Sequence, residues 1–219
     1  MMILPQSFYN QKTLTVAQKL LGCFLCRRGG INGHIVKSMI TETEAYCGPK
    51  DKASHASRGR TPRTEIMFGL PGFIYIYLVY GMHYMLNIVT EREGYPAAVL
   101  IRAVEVPMSL RGSRTRNASF GGRGNPVKTE IYQRDCHAPI APLVQSGLAM
   151  KQKTNGPAKL TKFLHINKSF NGLPIFTKKH RLWIHPAPSH NHVIRRGTRI
   201  GVDYAQEYKD KLWRFYIED

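Results

Sequence analysis

The stretch Phe73–Val89, FIYIYLVYGMHYMLNIV, decides how the rest of the chain is read. It is apolar enough to raise a membrane span, but Tyr75, Tyr77, Tyr80, His83, Tyr84 and Asn87 interrupt it. A spanning helix needs about 20 predominantly apolar residues without such a polar load, which excludes that reading. At period two, Ile74, Ile76 and Leu78 fall on one side of a strand, and Tyr75 and Tyr77 fall on the other. Aliphatic side chains suit a core, whereas hydroxyl-tipped rings suit a cleft in which flat ligands stack. Gly81 permits a reversal and Tyr84–Val89 a returning strand, which leaves Tyr80, Met82 and His83 at a hairpin tip. Taken one at a time, each tyrosine also reads as an ordinary sheet residue.

N-terminal to the hairpin, Thr13–Leu21 has the spacing of a short helix, with Thr13 as cap and Gly22 as stop. Cys23–Arg28 and Gly33–Thr43 read as two strands joined at Gly29-Gly30. The second runs into Thr41-Glu42-Thr43-Glu44-Ala45-Tyr46. Glu42 and Glu44 share a face if the strand is regular, ~7 Å apart by two strand rises. Carboxyls that close push one pKa up, which serves acid–base chemistry, although a solvated strand edge has the same pattern. Gly48–Arg63 is a Gly-, Pro-, Ser- and Arg-rich loop suited to phosphate contacts or simply to water.

C-terminal to the hairpin, Ala97–Val106 (AAVLIRAVEV) reads as a buried strand with Arg102 inside it. A buried guanidinium requires a carboxylate, and Glu44, Glu42 and Glu105 are the candidates, Glu44 foremost. Ser109–Lys153 is Gly-rich and basic with no firm period. Gly156-Pro157-Ala158-Lys159-Leu160 looks like a helix start with Pro157 in its first turn. Arg199–Asp203 and Trp213–Ile217 read as closing strands.

The chain has 219 residues, enough for one substantial domain or at most two small ones, and 32 Lys+Arg against 14 Asp+Glu give a formal charge of +18. That excess favours a polyanionic partner. Neither a basic amphipathic helix nor a lipidation signal is found, so nucleic acid is preferred over a membrane surface, with affinity falling steeply as salt rises. Cys23 and Cys26 form a CxxC inside an apolar run, where an extended backbone points them to opposite faces. No second CxxC completes a zinc site, and Cys136, His137, His180, His185, His190 and His192 match no familiar spacing, so no metal is expected. Four cysteines and an N-terminus without a secretory pattern lead us to expect a reducing, intracellular setting.

Taken in order, TETEAYCGP (Thr41–Pro49), RTPR (Arg60–Arg63) with Met67-Phe68, and PGFIYIYLVYGMHYMLN (Pro71–Asn87) form a specific set. LIRAVE (Leu100–Glu105), GPAKL (Gly156–Leu160), INKSF (Ile166–Phe170), RIGV (Arg199–Val202) and RFYI (Arg214–Ile217) continue it. The set resembles the alkyladenine (3-methyladenine, or methylpurine) DNA glycosylases across most of the chain, with Ser113–Met150 as the main gap. The resemblance implies an α+β fold over residues 1–219. This is a single mixed domain with a curved antiparallel sheet, flanking helices and a projecting DNA-intercalating hairpin. It implies Tyr80 as the residue that fills the space of a flipped nucleotide, with Val79 and Met82 beside it. Tyr46, His55 and Tyr77 match the rings that hold the base, and Tyr75 matches a partner of the histidine. Glu44 matches the general base, and Arg102 the residue that fixes its water, with a main-chain carbonyl at Ile200. Asn87 matches the residue that crowds the 2-amino group of guanine. Thr61, Arg63 and Lys159 fall where the family touches the DNA backbone. His83 replaces an aromatic, and the loop before Thr61 is one residue shorter than in some relatives.

The implied partner is double-stranded DNA carrying damaged purines, bound by a monomer that needs no cofactor. Three other readings stand beside a water-using glycosylase. A Schiff-base lyase would need a desolvated lysine in the pocket. A non-catalytic nucleic-acid binder would keep the basic loops and stacking rings. A carbohydrate hydrolase using Glu42 and Glu44 leaves the charge and the hairpin unexplained.

Overall fold

Among the described residues, nine antiparallel strands curl into one sheet whose centre is the long strand β2 (Ile35–Cys47). One edge of β2 pairs with β5 (Ala97–Val106), then with β4 (His83–Val89) and β3 (Ile74–Val79). Its other edge is divided. The first half pairs with β1 (Phe24–Arg28), which carries β7 (Leu182–His185). Residues 42–44 pair with β9 (Arg214–Ile217), which carries β8 (Ile194–Gly197). Strand β6 (Gln152–Lys153) extends the end of β5. Among the described residues, three short α-helices complete the α+β fold: α1 (Gln6–Tyr9), α2 (Thr13–Lys19) and α3 (Pro157–Phe163). The computed structural model describes residues 2–29, 33–106, 152–187 and 192–218, so Ser113–Met150, Cys136, His137 and His190 lie outside the described residues.

The two faces of the sheet divide the side chains as the alternation in β3 requires. Ile74 and Ile76 of β3, Leu86 and Ile88 of β4, and Val99 and Ile101 of β5 join Val16, Ala17 and Leu20 around α2 in the main core. Each such aliphatic contributes about 1.5–3 kcal/mol when fully buried. Tyr75, Val89 and Ala98 face the other way and pack with Ala56 and Met67, with Tyr77 against them. Leu78 departs from the expected core face and is 42% exposed near the hairpin tip.

Strand β2 is not regular. Its pairing with β5 shifts between Ile40 and Glu42 and again between Glu42 and Thr43, leaving Thr41 and Arg102 as the extra residues. A bulge re-aims the side chains that follow it. Ile40 lies in the main core, and so does Ala45, five positions on, which a regular strand would place on the opposite face. The slip thereby turns Glu42 and Glu44 together toward Arg102 on the other face.

Other expectations need correction. Thr13 is the first residue of α2 rather than its cap. The helix end is closed from afar, by Glu91, whose Oε1 accepts from the Thr13 N–H (3.1 Å) and hydroxyl (2.6 Å). Arg199–Asp203 is not a strand: it is a bend leading into a 3-10 turn, with Gly201 at φ +76°. The strand there is β8, just upstream. Pro157 does open α3, at its first position.

At the hairpin turn, Tyr80 (φ +51°) and Gly81 (φ +70°) both adopt the left-handed region, and the Met82 N–H donates to the Val79 carbonyl at 3.2 Å. For glycine this conformation is free. For Tyr80 it costs on the order of 1–2 kcal/mol, and the ring is left 87% exposed. Met82 is 69% exposed.

Candidate active site

The face of the sheet opposite the main core opens into a cavity of about 480 Å³, within the usual range for small-molecule sites. Tyr75, Tyr77, Asn87 and Arg102 rise into it from the strands, and Tyr46 stands at the end of β2. His55 enters from a 3-10 turn (His55–Arg58) held by Ser54, whose side chain accepts from the Ala56 N–H. Ile200, Gly201 and Val202 close the near side, and Val79 and Tyr80 reach the rim.

One wall is aromatic. The His55 and Tyr77 rings meet edge-on with centroids 4.5 Å apart, and the Tyr75 and Tyr77 centroids are 5.5 Å apart. His55 Nδ1 lies 3.0 Å from the Tyr75 hydroxyl. Burial, followed by the nearby Arg63 and Arg58, lowers the His55 pKa to about 4, so the imidazole is neutral at pH 7. Arg63 Nη2 is 3.5 Å from His55 Nε2 and can only donate, which leaves the ring proton on Nδ1 for Tyr75. The Arg63 guanidinium also lies over Tyr77, 5.3 Å from the ring centroid.

Glu44 is fully buried, and its carboxylate has three donors. Oε1 accepts from the Ile200 N–H (2.9 Å) and faces Arg102 Nη1 (3.2 Å), while Oε2 accepts from the Tyr46 hydroxyl (2.9 Å). All three donor residues line the cavity, whereas Glu44 itself lies behind them. Burial raises the Glu44 pKa, opposed by Arg102, the Ile200 amide and Tyr46, with the neighbouring Glu42 raising it further. Burial and the adjacent Glu44 likewise push the Tyr46 phenol up, so it remains a donor.

Arg102 is shared between the two acids, with Nε 3.2 Å from Glu42 Oε1. Glu42 in turn is reached by Arg214 Nη1 at 3.0 Å, an arginine that donates through Nε to the Thr198 carbonyl. The result is a chain of alternating charge running from β9 into the cavity floor. Asn87 is buried, and its amide nitrogen donates to the carbonyls of Tyr75 and Met85, 3.2 Å each. Ile200 meets Glu44 through its N–H.

Thr61 and Lys159 are exposed and lie outside the cavity lining, Thr61 bonding to Thr64 and Lys159 standing on α3. Sequence reasoning named Glu44 and Glu42 as candidate partners of Arg102, but missed that Arg102 takes the two together and that Arg214 joins Glu42. It also missed the buried pair of Arg199 with Asp51, and the cavity residues Met67, Pro157 and Tyr204. No local pattern announces pairs that meet across such sequence distances.

A sequence model of the methylpurine-DNA glycosylase (MPG) family matches residues 7–219. The chain belongs to the methylpurine-DNA glycosylase family. It is 42% identical over 217 residues to a protein of Desulfitobacterium hafniense (strain Y51) named "Putative 3-methyladenine DNA glycosylase", covering 99% of this chain and 95% of that one. Relatives with the same name from Natranaerobius thermophilus and Methanocella arvoryzae are each 38% identical. They cover 100% and 99% of this chain, and 96% and 92% of their own. Family membership fits the basic charge and the ring-lined cavity, and it ties the chain to DNA repair and DNA binding.

Proposed function

We propose that this chain is a DNA repair glycosylase that everts a damaged purine from duplex DNA and hydrolyses its N-glycosidic bond. The substrates are alkylated or deaminated purines: 3-methyladenine, 7-methylguanine, hypoxanthine and ethenoadenine. One observation carries the reading: a buried carboxylate with three donors stands directly behind a cavity walled by Tyr46, His55, Tyr75 and Tyr77.

The everted base stacks among these rings, whose faces attract cationic N3- and N7-alkylpurines by ~0.5–2 kcal/mol over neutral bases. Neutral His55 adds no repelling charge. Water held by Arg102 and the Ile200 carbonyl attacks C1′ as the bond from C1′ to the purine nitrogen breaks. The electron pair of that bond leaves with the base, and the water's proton passes to Glu44. The carboxylate also stabilises the positive charge that develops on the sugar. The product is an abasic site with the strand intact. Water rather than an amine is the nucleophile, which agrees with a cavity lined by no lysine among the described residues.

Tyr80 and Met82, exposed at the turn with Val79 beneath, fill the space vacated in the duplex. Ring stacking there recovers part of an unstacking cost of a few kcal/mol. Arg63, Thr61 and Lys159 contact the backbone, and Asn87 crowds the 2-amino group of guanine, so the site prefers adenine-like and hypoxanthine lesions over 7-methylguanine and Asn87→Ser raises release of guanine-type lesions. The protein acts as a monomer.

The test is base release from duplexes carrying hypoxanthine, ethenoadenine or 3-methyladenine, by the unmodified protein and by Glu44→Gln. Release lost with DNA binding retained supports the reading, and retained turnover removes Glu44 as the base. Borohydride trapping of a covalent adduct would instead establish a lyase.

A further inference from the structure

We propose that Arg199, locked by Asp51, is a positioning residue for this site. It fixes the Ile200 amide that holds Glu44 and the Tyr46 ring that walls the cavity. The proposal rests on Glu44 being the carboxylate of the reaction.

Arg199 and Asp51 are an ion pair with no exposed side-chain surface, two parallel contacts joining Nη1 to Oδ2 (2.6 Å) and Nη2 to Oδ1 (2.9 Å). The guanidinium lies over two rings, 4.9 Å from the centroid of Tyr46 and 4.9 Å from that of Trp213. Its Nη1 also donates to the Ala45 carbonyl (3.0 Å), and Nη2 to that of Tyr208 (3.1 Å). Asp51 accepts further from the N–H groups of Cys47 (3.0 Å) and Ala53 (3.1 Å). One side chain therefore joins the end of β2, the segment leading to His55, the turn after Val202 and the approach to β9.

A buried ion pair contributes little net folding stability, because desolvation offsets the attraction. Direction is what this one supplies. Ile200 follows Arg199 immediately, and its N–H reaches Glu44 Oε1 at 2.9 Å although the residue itself is 53% exposed. Arg214 fixes the Thr198 carbonyl upstream, and the Arg199 side chain is what ties the residue next to that amide to β2 and Asp51. The planar fork and the double stack also explain why arginine rather than lysine stands here. Arg102, Tyr46, the Ile200 amide and Glu42 are the groups that face Glu44, with Arg214 behind Glu42. Loosening one donor therefore leaves the others in place.

The experiment is single-turnover hypoxanthine release from duplex DNA between pH 5 and 9, using unmodified protein, Arg199→Lys, Asp51→Asn and Glu44→Gln. Positioning predicts that Arg199→Lys and Asp51→Asn bind DNA within about twofold of the unmodified protein. It predicts a release rate about 10- to 100-fold lower, the scale of a misplaced catalytic group, with the acid limb at higher pH because ionised Glu44 has lost a donor. A folded Arg199→Lys with unchanged rate and unchanged acid limb overturns the proposal. Full release by Glu44→Gln overturns the underlying catalytic reading instead, so the two failures are distinct. Amide exchange in the unmodified protein is a second arm that needs no variant. The Ile200 N–H must exchange at least about tenfold more slowly than that of Gly201, and equal exchange overturns the proposal.

Discussion

Replacing Tyr46 by Phe removes one oxygen and leaves the ring. In the structure that hydroxyl donates to Glu44 Oε2 at 2.9 Å, beside a carboxylate that is fully buried and has Arg102 and the Ile200 amide on its other oxygen. A hydrogen bond to a charged group contributes about 1.5–3 kcal/mol. Its loss falls on the ionised form alone, so the acid limb of base release moves to higher pH. At a pH on that limb the ionised fraction, and the rate with it, drops about 10- to 150-fold, since ~1.4 kcal/mol is a factor of ten. Above the limb, the variant approaches the unmodified rate. DNA affinity stays within about twofold because the stacking surface is intact. Single-turnover release of hypoxanthine measured across pH 5–9 reads all three quantities. A variant with the same limb, or with a uniform loss at every pH, refutes the idea that Tyr46 acts through the ionisation of Glu44.

Three other outcomes follow from the same geometry. Arg102→Met leaves Glu42 and Glu44 without their shared cation and destabilises the fold by about 3–5 kcal/mol at pH 8 in urea unfolding, and that penalty shrinks as acid protonates the carboxylates. A penalty that does not depend on pH would contradict it. His55 has its folded pKa lowered to about 4, so between pH 6.5 and 4 the unfolded chain binds more protons and stability falls as pH falls. Relative to His55→Asn, the unmodified protein loses about 2–3 kcal/mol over that window, and parallel pH profiles of the two would show the imidazole to be unperturbed. Tyr80→Ala, at an 87% exposed position, leaves urea stability within about 0.5 kcal/mol. It weakens capture of a flipped lesion by about 1–3 kcal/mol in anisotropy titrations, the scale of one base–aromatic stack. Equal losses on undamaged DNA would count against a wedge.

Much of the sheet is legible locally because alternation writes both faces into each strand. Tyr75 and Tyr77 against Ile74 and Ile76 foretell which side is core and which is cavity, and Ala97–Val106 coincides with β5. The alternation fails at Leu78, which is exposed toward the hairpin tip. The bulge in β2 is invisible in the sequence: Glu42 and Glu44 share a face on any regular strand, but the slip at Thr41 decides that this is the face opposite Ile40. Strand β8 (IRRG) was beyond reach because its residues are mostly exposed and it exists only by pairing with β9. Arg199–Asp203 misled through its apolar content, although Gly201 bends the chain there. Asp51 and Arg199 meet across 148 positions, and no periodicity relates them.

The divided edge of β2 has a consequence for the order in which the protein is made. Glu44 leaves the ribosome early, but the amide that holds it comes 156 residues later, and β9, which flanks Glu42–Glu44, later still. Domains complete their long-range pairings only once both segments are free of the exit tunnel. A nascent chain thus carries its acid without Ile200 or Arg214, and the cavity stays unassembled until β9 docks. The site waits on residues about 170 positions beyond Glu44, by topology alone.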